Sequence, residues 1–241
     1  MLSIIVKEVN EFLNSLIAYV VLGVFLMGTG LVMWLFPSSS VLEYGYATLE
    51  PLFTLGPYLF MFLIPGITMR SFAEEHRSGT IELLFTLPFK RWEIVVGKFI
   101  SAFLLVVFSI LPTILYYFSV SALGSPEGNL DTAGIIGSYL GLILLGGVFT
   151  AFGLFASVLT ENQIVSFVLA GFLCFLSYDG IDSLANLDSW GSWSYSLERV
   201  GILYHYTAMS KGLLDLKNIG YFVSVILLFL SFVQLTLTKR R

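Results

Sequence analysis

The sequence predicts an all-α, polytopic membrane protein with six transmembrane helices. Of its 241 residues, 57% are hydrophobic and only 12% are charged, whereas a soluble domain carries about 25% charged residues. Apolar runs of about 20 residues recur along the chain, which is the length that crosses a hydrocarbon core of roughly 30 Å as a helix. None of these runs contains Asp, Glu, Lys, Arg or His. A lipid-facing surface explains this composition better than a water-facing one.

The apolar runs divide the whole chain into one transmembrane domain of six predicted spans. These spans cover residues 16–36, 52–69, 99–120, 135–159, 164–178 and 220–237. The fifth is short and its outer end is not defined by the sequence. Pro57 and Pro65 are expected to kink or unwind the second span. Gly137 and Gly141 in the fourth have the spacing that allows close helix packing, within the chain or at a subunit interface.

Residues 1–15 are predicted to form an interfacial helix before the first span. Apolar and polar side chains separate onto two faces of this segment, which is typical of a helix lying on a membrane surface. A cytoplasmic extension of the first span is the alternative. The apolar face is formed by Leu2, Ile5, Val9, Phe12 and Leu13.

The distribution of basic residues predicts that both termini are cytoplasmic. With the N-terminus inside, nine basic residues lie on the cytoplasmic side and three lie outside, which agrees with the positive-inside rule. The nine are Lys7, Arg70, Arg77, Lys90, Arg91, Lys98, Lys239, Arg240 and Arg241, and the three are Arg199, Lys211 and Lys217. Nine of the sixteen acidic residues fall outside, so the outer side is predicted to be acidic.

The external segment 179–219 is longer than a simple connection requires. It contains aromatic residues with polar groups, such as Trp190, Trp193 and Tyr204, which suit the membrane interface. We expect short helices here, packed against the outer leaflet and partly re-entrant.

The residues that are missing restrict how this protein could perform work. Ion-coupled transporters place ionisable side chains at membrane depth, and the six predicted spans have none. The P-loop pattern for nucleotide binding is absent, as are nucleophile-elbow and zinc-protease motifs. No basic patch suited to nucleic acid is present. The sequence therefore predicts a non-catalytic membrane subunit that binds no cofactor itself and depends on a partner chain for energy.

The cytoplasmic loop 70–98 is the most informative segment. Residues 70–77 can form about two helical turns, and Gly79 permits the left-handed backbone that ends a helix. Thr80 is placed to cap a second helix from Ile81, which Pro88 would end. Charged and apolar side chains alternate here, and this pattern favours an ordered docking surface over a solvated loop.

This loop resembles the cytoplasmic coupling region of ABC-2 type permeases. The recurring pattern E-x-x-x-G-T-x-E-L-L-x-x-x-P, followed by W-E-I-x-x-G-K, is matched in order and spacing. The matching residues are Glu75, Gly79, Thr80, Glu82, Leu83, Leu84, Pro88, Trp92, Glu93, Ile94, Gly97 and Lys98. The resemblance covers essentially the whole chain. Residues 62–72, 136–139, 153–157, 160–164 and 210–215 look closest to the gliding-motility permease subgroup of Bacteroidetes.

The resemblance implies a bacterial inner-membrane subunit whose coupling helix docks into a cytoplasmic ABC ATPase dimer. ATP and Mg²⁺ would be bound by that ATPase and not by this chain. A smaller second contact would come from the loop 160–163. The second membrane subunit would carry a large external domain or be another copy of this permease. The residues implied to contact the ATPase or brace the contact are Arg70, Glu74, Glu75, Arg77, Gly79, Thr80, Glu82 and Glu161.

Three other functions are compatible with parts of the sequence. The chain could be a membrane scaffold or assembly subunit that uses the cytoplasmic loop only for docking. It could be a permease of the type linked to copper-enzyme maturation. It could also be a membrane enzyme that uses the external residues Asp179, Asp182, Asp188 and His205, although a solvated acidic surface explains those residues without chemistry.

Overall fold

A computed structural model describes residues 2–37, 40–43, 47–82, 90–186, 197–213 and 215–239. The described residues form helices joined by turns and contain no strand, so the predicted all-α class is confirmed. We number the helices α1 (Leu2–Leu13), α2 (Leu16–Trp34), α3 (Glu50–Thr68), α4 (Ala73–Ser78), α5 (Arg91–Ile110), α6 (Ile114–Leu123), α7 (Thr132–Leu159), α8 (Gln163–Phe175), α9 (Ile181–Ala185), α10 (Ile202–Ser210) and α11 (Leu216–Lys239).

Within the described residues, five helical stretches are long and apolar enough to cross a membrane. They are Glu50–Ser78, Arg91–Leu123, Thr132–Leu159, Gln163–Ala185 and Leu216–Lys239. The number becomes six if α1 and α2, which meet at an angle of 68°, count as one bent span. The chain is thus a multi-pass membrane protein.

Two stretches differ in detail from the runs predicted by hydropathy. The helix predicted over 99–120 is interrupted by a short 3-10 turn at Leu111–Thr113, where Pro112 lacks the amide hydrogen that an α-helix requires. The helix predicted over 164–178 continues beyond Phe175 through a π-turn at Leu176–Gly180 into α9. Polar Ser177 and Asp179 lie in that turn, so a criterion based on apolar length ends the helix too early.

Helix α7 lies at the centre of the fold and packs against α3, α5, α8, α10 and α11. Its glycines allow these neighbours to approach closely. A Cβ atom at Gly153 would overlap the Thr68 side chain, and one at Gly146 would overlap Val106. The glycine-rich composition of this helix therefore brings the C-terminal end of α3 against α7.

Both prolines of the second predicted span lie inside an unbroken α3, so unwinding was the wrong expectation. A proline at position 57 cannot donate a hydrogen bond to the carbonyl of Phe53. The Tyr206 hydroxyl donates to that Phe53 oxygen instead, at 2.6 Å. The carbonyl that Pro57 leaves without its helical partner is therefore satisfied from another part of the chain.

The pair Gly137 and Gly141 accommodates α10. A Cβ atom at Gly137 would overlap the backbone oxygen of Met209, and one at Gly141 would touch Tyr206 and Met209. Ser138 also donates a hydrogen bond to the Ser210 carbonyl at 3.3 Å. The predicted close packing occurs within this chain, against a short helix of the segment 179–219.

Helix α1 packs across the start of α5. Ile4 is buried, and a Cβ atom at Gly97 would lie 3.1 Å from its side chain. The Ser101 hydroxyl donates to the Ile5 carbonyl at 3.5 Å. The chain bends by 68° between α1 and α2, and one side of α1 packs against α5. That α1 lies on the membrane surface stays a prediction.

Candidate functional site

Helix α4 is a short structure with a defined beginning and end. It follows α3 after a turn at residues 69–72 and ends at Gly79, whose φ of +70° is left-handed. The Gly79 amide donates to the His76 carbonyl at 3.2 Å. Glycine adopts this backbone without the steric cost that a Cβ atom imposes. The predicted stop at Gly79 is present, whereas the helix predicted over residues 70–77 begins only at Ala73, because residues 69–72 form the turn that follows α3.

The first turn of α4 is capped by a side chain from α7. Ser157 Oγ accepts hydrogen bonds from the amides of Phe72 and Ala73, at 2.9 and 3.0 Å. The same hydroxyl donates to the Met69 carbonyl at 3.2 Å. The first amides of a helix have no partner within the helix, so Ser157 supplies acceptors that α4 itself cannot. The turn between α3 and α4 is thereby attached to the central helix.

A buried ionic cluster joins α1, α4 and α5. The Lys98 ammonium lies 2.8 Å from Glu8 Oε1 and 2.8 Å from Glu75 Oε1. It also donates to the Ser71 carbonyl at 2.7 Å and lies 5.1 Å from the centre of the Phe72 ring. The side chains are 2% exposed for Lys98, 14% for Glu8 and 16% for Glu75. We call Glu8, Glu75 and Lys98 the charge clasp.

The clasp contains two carboxylates and one ammonium, and its members lie outside the predicted spans. Glu75 Oε2 is buried without a hydrogen-bond partner among the described residues. The two carboxylates share one ammonium, and removing Lys98 would leave them close together.

Apolar packing reinforces the charge clasp. One cluster of buried residues joins α1, α5, α7 and α11 to the two ends of α4 at this end of the molecule. Its members include Ile4, Phe72, Ile81, Ile94, Leu154 and Val233. Arg91 at the start of α5 also donates to the Leu237 carbonyl of α11 at 3.2 Å. Helix α4 is thus attached to the surrounding helices by apolar as well as polar contacts.

The predicted site residues fall into two groups. Glu75 points inward to Lys98, so in this structure it braces α4 and does not face outward. The others are exposed: Arg70, Glu74, Arg77, Gly79, Thr80 and Glu82 around α4, and Glu161 in the turn between α7 and α8. Helix α4 packs against both α7 and α8. The outer face of α4 therefore carries charges of both signs. The 160–163 turn joins α7 and α8, the two helices that α4 contacts.

Part of the predicted coupling motif lies outside the described residues. Leu83, Leu84 and Pro88, and with them most of the predicted second helix, fall in this part. The chain is described again from Lys90, whose amide donates to Glu93 Oε2 at 3.0 Å at the start of α5.

The sequence did not identify three residues that hold the site together: Glu8, Lys98 and Ser157. Lys98 was read as a cytoplasmic basic residue and a motif match. One signal was available, because Lys98 is one helical turn from Ile94 and Ala102, both on the buried face of α5. A lysine in an apolar stripe requires a buried partner. No local pattern indicates the cap from Ser157.

Among the residues that the structure describes, those considered for an enzyme on the predicted outer side do not form one site. Asp179 accepts a hydrogen bond from the Tyr58 hydroxyl at 3.3 Å, and Asp182 pairs with the amide of Asn186 at 3.1 Å. His205 lies between Asn218 and the Arg199 carbonyl. Asp188 lies outside the described residues. Each described residue is thus occupied in a separate local contact.

Comparison with known protein families gives one match over most of the chain. Residues 2–185 match the family model described as ABC-2 family transporter protein. The matched region includes α1, α4, the charge clasp and Glu161. No curated protein matches the chain.

Proposed function

Because the chain belongs to the ABC-2 transporter family, we propose that it is a permease subunit that couples ATP hydrolysis by a separate ABC ATPase to transport or force transmission across the membrane. Members of this family are membrane transport components that work with an ABC ATPase. The chain supplies the membrane path and the contact, and the partner supplies the chemistry.

One observation carries this proposal. Helix α4 presents exposed charges outward while its inward side is fixed to three helices by Ser157 and the charge clasp. A rigidly attached helix transmits a displacement to the helices that hold it, whereas a loose loop would absorb it. Movement of α4 by a partner would thus reach α3 directly, α7 through Ser157, and α1 and α5 through Lys98.

We assign distinct roles to the predicted residues. Arg70, Glu74, Arg77 and Glu82 face the ATPase, and their mixed charges set the orientation of docking. Gly79 and Thr80 shape the end of α4. Glu75 and Lys98 position α4, and Glu161 contributes the second, smaller contact. A cytoplasmic α4 places both termini inside the cell, in agreement with the excess of basic residues on that side.

The resemblance of residues 62–72 and 210–215 to gliding-motility permeases supports a finer proposal. The complex would lie in a bacterial inner membrane and transmit force or transport in gliding motility. Its partners would be an ATPase dimer and a second membrane subunit with a large external domain. A second copy of this permease in place of that subunit is one alternative, and a permease of the type linked to copper-enzyme maturation is another.

The proposal is tested by purifying the chain from its native membrane in mild detergent and identifying bound proteins by mass spectrometry. Wild type should retain an ABC ATPase. Arg77→Glu combined with Glu74→Lys should release it, because the substitutions reverse both exposed charges of α4 without touching the clasp. Glu161→Lys should weaken retention less.

The matched control is Glu11→Lys on α1, which reverses the charge of a side chain that is 61% exposed. It should leave ATPase retention unchanged. If wild type retains no ATPase, or if the ATPase stays bound while its activity does not respond to the α4 variants, the chain is a scaffold and not a coupled permease.

A further inference from the structure

A cavity of about 780 Å³ lies at the end of the molecule opposite α4. It is enclosed by the first turns of α3 and α7, the π-turn after α8, and α10. Phe53 lines it near the start of α3, whereas α4 follows the end of the same helix, about 20 Å away at 1.5 Å per residue. Its volume is in the range of roughly 300–1,000 Å³ typical of small-molecule sites.

The inner wall of the cavity is aromatic. Phe53, Tyr178 and Tyr206 are buried, and Tyr58 stands at its edge with 42% of its surface exposed. The Tyr178 ring meets those of Tyr58 and Tyr206 edge to face, with centres 5.9 and 6.0 Å apart. The hydroxyl of Tyr206 is held by the Phe53 carbonyl. This wall is therefore fixed by contacts between α3, the π-turn after α8, and α10.

The mouth of the cavity carries charges of both signs. Glu50, Asp131 and Lys211 line it and are exposed. Asp131 Oδ1 accepts a hydrogen bond from the Gly134 amide at 3.0 Å. A carboxylate has about four acceptor positions, so this exposed side chain retains acceptors for a ligand. The Asp179 carboxylate lies beside the mouth, against Tyr58. A ligand that complements two carboxylates, one ammonium and aromatic rings carries an ammonium group and a phosphate or carboxylate.

We propose that this cavity binds the phosphate–ammonium head group of a zwitterionic membrane lipid. The ligand's ammonium lies against Glu50 and Asp131, and the ring of Tyr58 favours the same charge. Its phosphate pairs with Lys211. The acyl chains leave along α3, where Phe62 lies one turn beyond Tyr58 and is 68% exposed. This apolar exit favours a lipid over a soluble molecule with the same head group.

This inference goes beyond the proposed function and does not depend on it. The charges of the mouth are separated from α4 by most of the length of α3. Loss of ATPase contact through Arg77→Glu should therefore leave lipid binding intact, and a failure of one proposal can be told from a failure of the other.

The test is native mass spectrometry of the purified chain with phosphatidylethanolamine or phosphatidylglycerol added at equal concentration. Wild type should retain the zwitterionic lipid preferentially. Glu50→Gln and Lys211→Gln should each lower that retention about fivefold, the effect expected for losing one charged contact of about 1 kcal/mol. Retention of phosphatidylglycerol should not fall with Glu50→Gln.

Two control variants remove the same charges from the same predicted side without lining the cavity: Glu127→Gln and Lys217→Gln. They should leave retention unchanged. Equal retention of the two lipids, or equal effects of cavity and control variants, would overturn the proposal. A third arm adds soluble phosphoethanolamine at the concentration of the lipid. Displacement of the lipid would assign the site to a soluble ligand and also overturn it.

Discussion

Helix α4 at one end of the molecule and α10 at the other are both short, yet they are held by different forces. Helix α4 is attached by a buried ionic cluster and a hydroxyl cap. Helix α10 is seated by close contact with Gly137 and Gly141, and the hydrogen bonds of Tyr206, His205 and the Ser210 carbonyl add to this packing. Directional polar contacts fix an orientation, whereas packing against glycines fixes a separation.

The difference suits the two tasks that we propose. A helix that receives a push from a partner needs attachments that resist rotation, and the polar contacts from Lys98 of α5 and Ser157 of α7 provide them. A helix that walls a cavity needs to keep its distance from its neighbour, and a missing Cβ atom at Gly137 sets that distance. The following substitutions break one attachment at a time.

The largest expected effect is from Lys98→Met in the charge clasp. The substitution leaves Glu8 and Glu75 together in a poorly hydrated place, and breaking a buried pair costs about 3 kcal/mol where the carboxylates keep some solvent contact. Unfolding in mixed micelles titrated with a denaturing detergent measures this cost. Adding Glu75→Gln should recover part of it.

Lys7→Met is the control for the clasp. Lys7 pairs with Glu11 at 3.5 Å, but both side chains are more than half exposed. Exposed pairs contribute about 0.5 kcal/mol or less. Equal destabilisation by Lys7→Met and Lys98→Met would mean that the clasp does not hold α4.

At the other end, Gly137→Ala should destabilise the protein by about 2 kcal/mol, because the new methyl group meets the Met209 backbone and cannot displace it cheaply. Gly66→Ala, in α3, meets nothing within 4 Å. It should stabilise slightly, by about 0.5 kcal/mol, through better helix propensity. The same detergent titration measures both. Effects of the same sign would contradict the packing described for α10.

A smaller effect, about 1–2 kcal/mol, is expected for Tyr206→Phe, which leaves the Phe53 carbonyl without its hydrogen bond. The cause can be isolated in a double-mutant cycle with Pro57→Ala. That substitution restores an amide hydrogen at position 57, which can bond Phe53 within α3. Tyr206→Phe should then cost less in the Pro57→Ala background. Equal costs in both backgrounds would mean that the Tyr206 hydroxyl does not compensate for the hydrogen bond that Pro57 cannot donate.

The smallest effect on stability, about 1 kcal/mol, is expected for Ser157→Ala, which removes the acceptor for two amides of the first turn of α4. Thermal unfolding in detergent measures it. Ser231→Ala is the control, because its exposed hydroxyl donates only to Leu227 within α11. Coupled ATPase activity should fall with Ser157→Ala and stay unchanged with the control. No fall in activity would remove Ser157 from the transmission path.

The sequence predicted those parts of the structure that depend on short-range patterns. Apolar runs place the long helices, and Gly79 marks the end of α4 because a left-handed residue is a local requirement. Glu8 lies 90 residues from Lys98, Phe72 lies 85 residues from Ser157, and Phe53 lies 153 residues from Tyr206. Such contacts depend on how helices are arranged and leave no periodic signal.

At Pro57 of α3, a local sequence pattern predicted a distortion, and a residue distant in the chain changes the outcome. Pro57 predicts a distortion when only its own helix is considered, because an amide hydrogen is missing. The helix continues because a hydroxyl from α10 reaches the Phe53 carbonyl. For the candidate site, composition indicated a charged docking helix, but which charges face inward could be decided only by the fold.

The most direct test of the central claim is cysteine cross-linking from α4 to the co-purified ATPase. Glu74→Cys and Arg77→Cys place thiols on the exposed face, and Glu11→Cys places one on the exposed side of α1 as a control. The native Cys174 is buried, so a short bifunctional thiol–amine reagent should act at the introduced positions. We predict ATPase adducts from positions 74 and 77, strengthened by trapping the ATP-bound state, and none from position 11. Equal adducts from all three positions, or none from α4, would contradict the claim that this helix is where the ATPase acts.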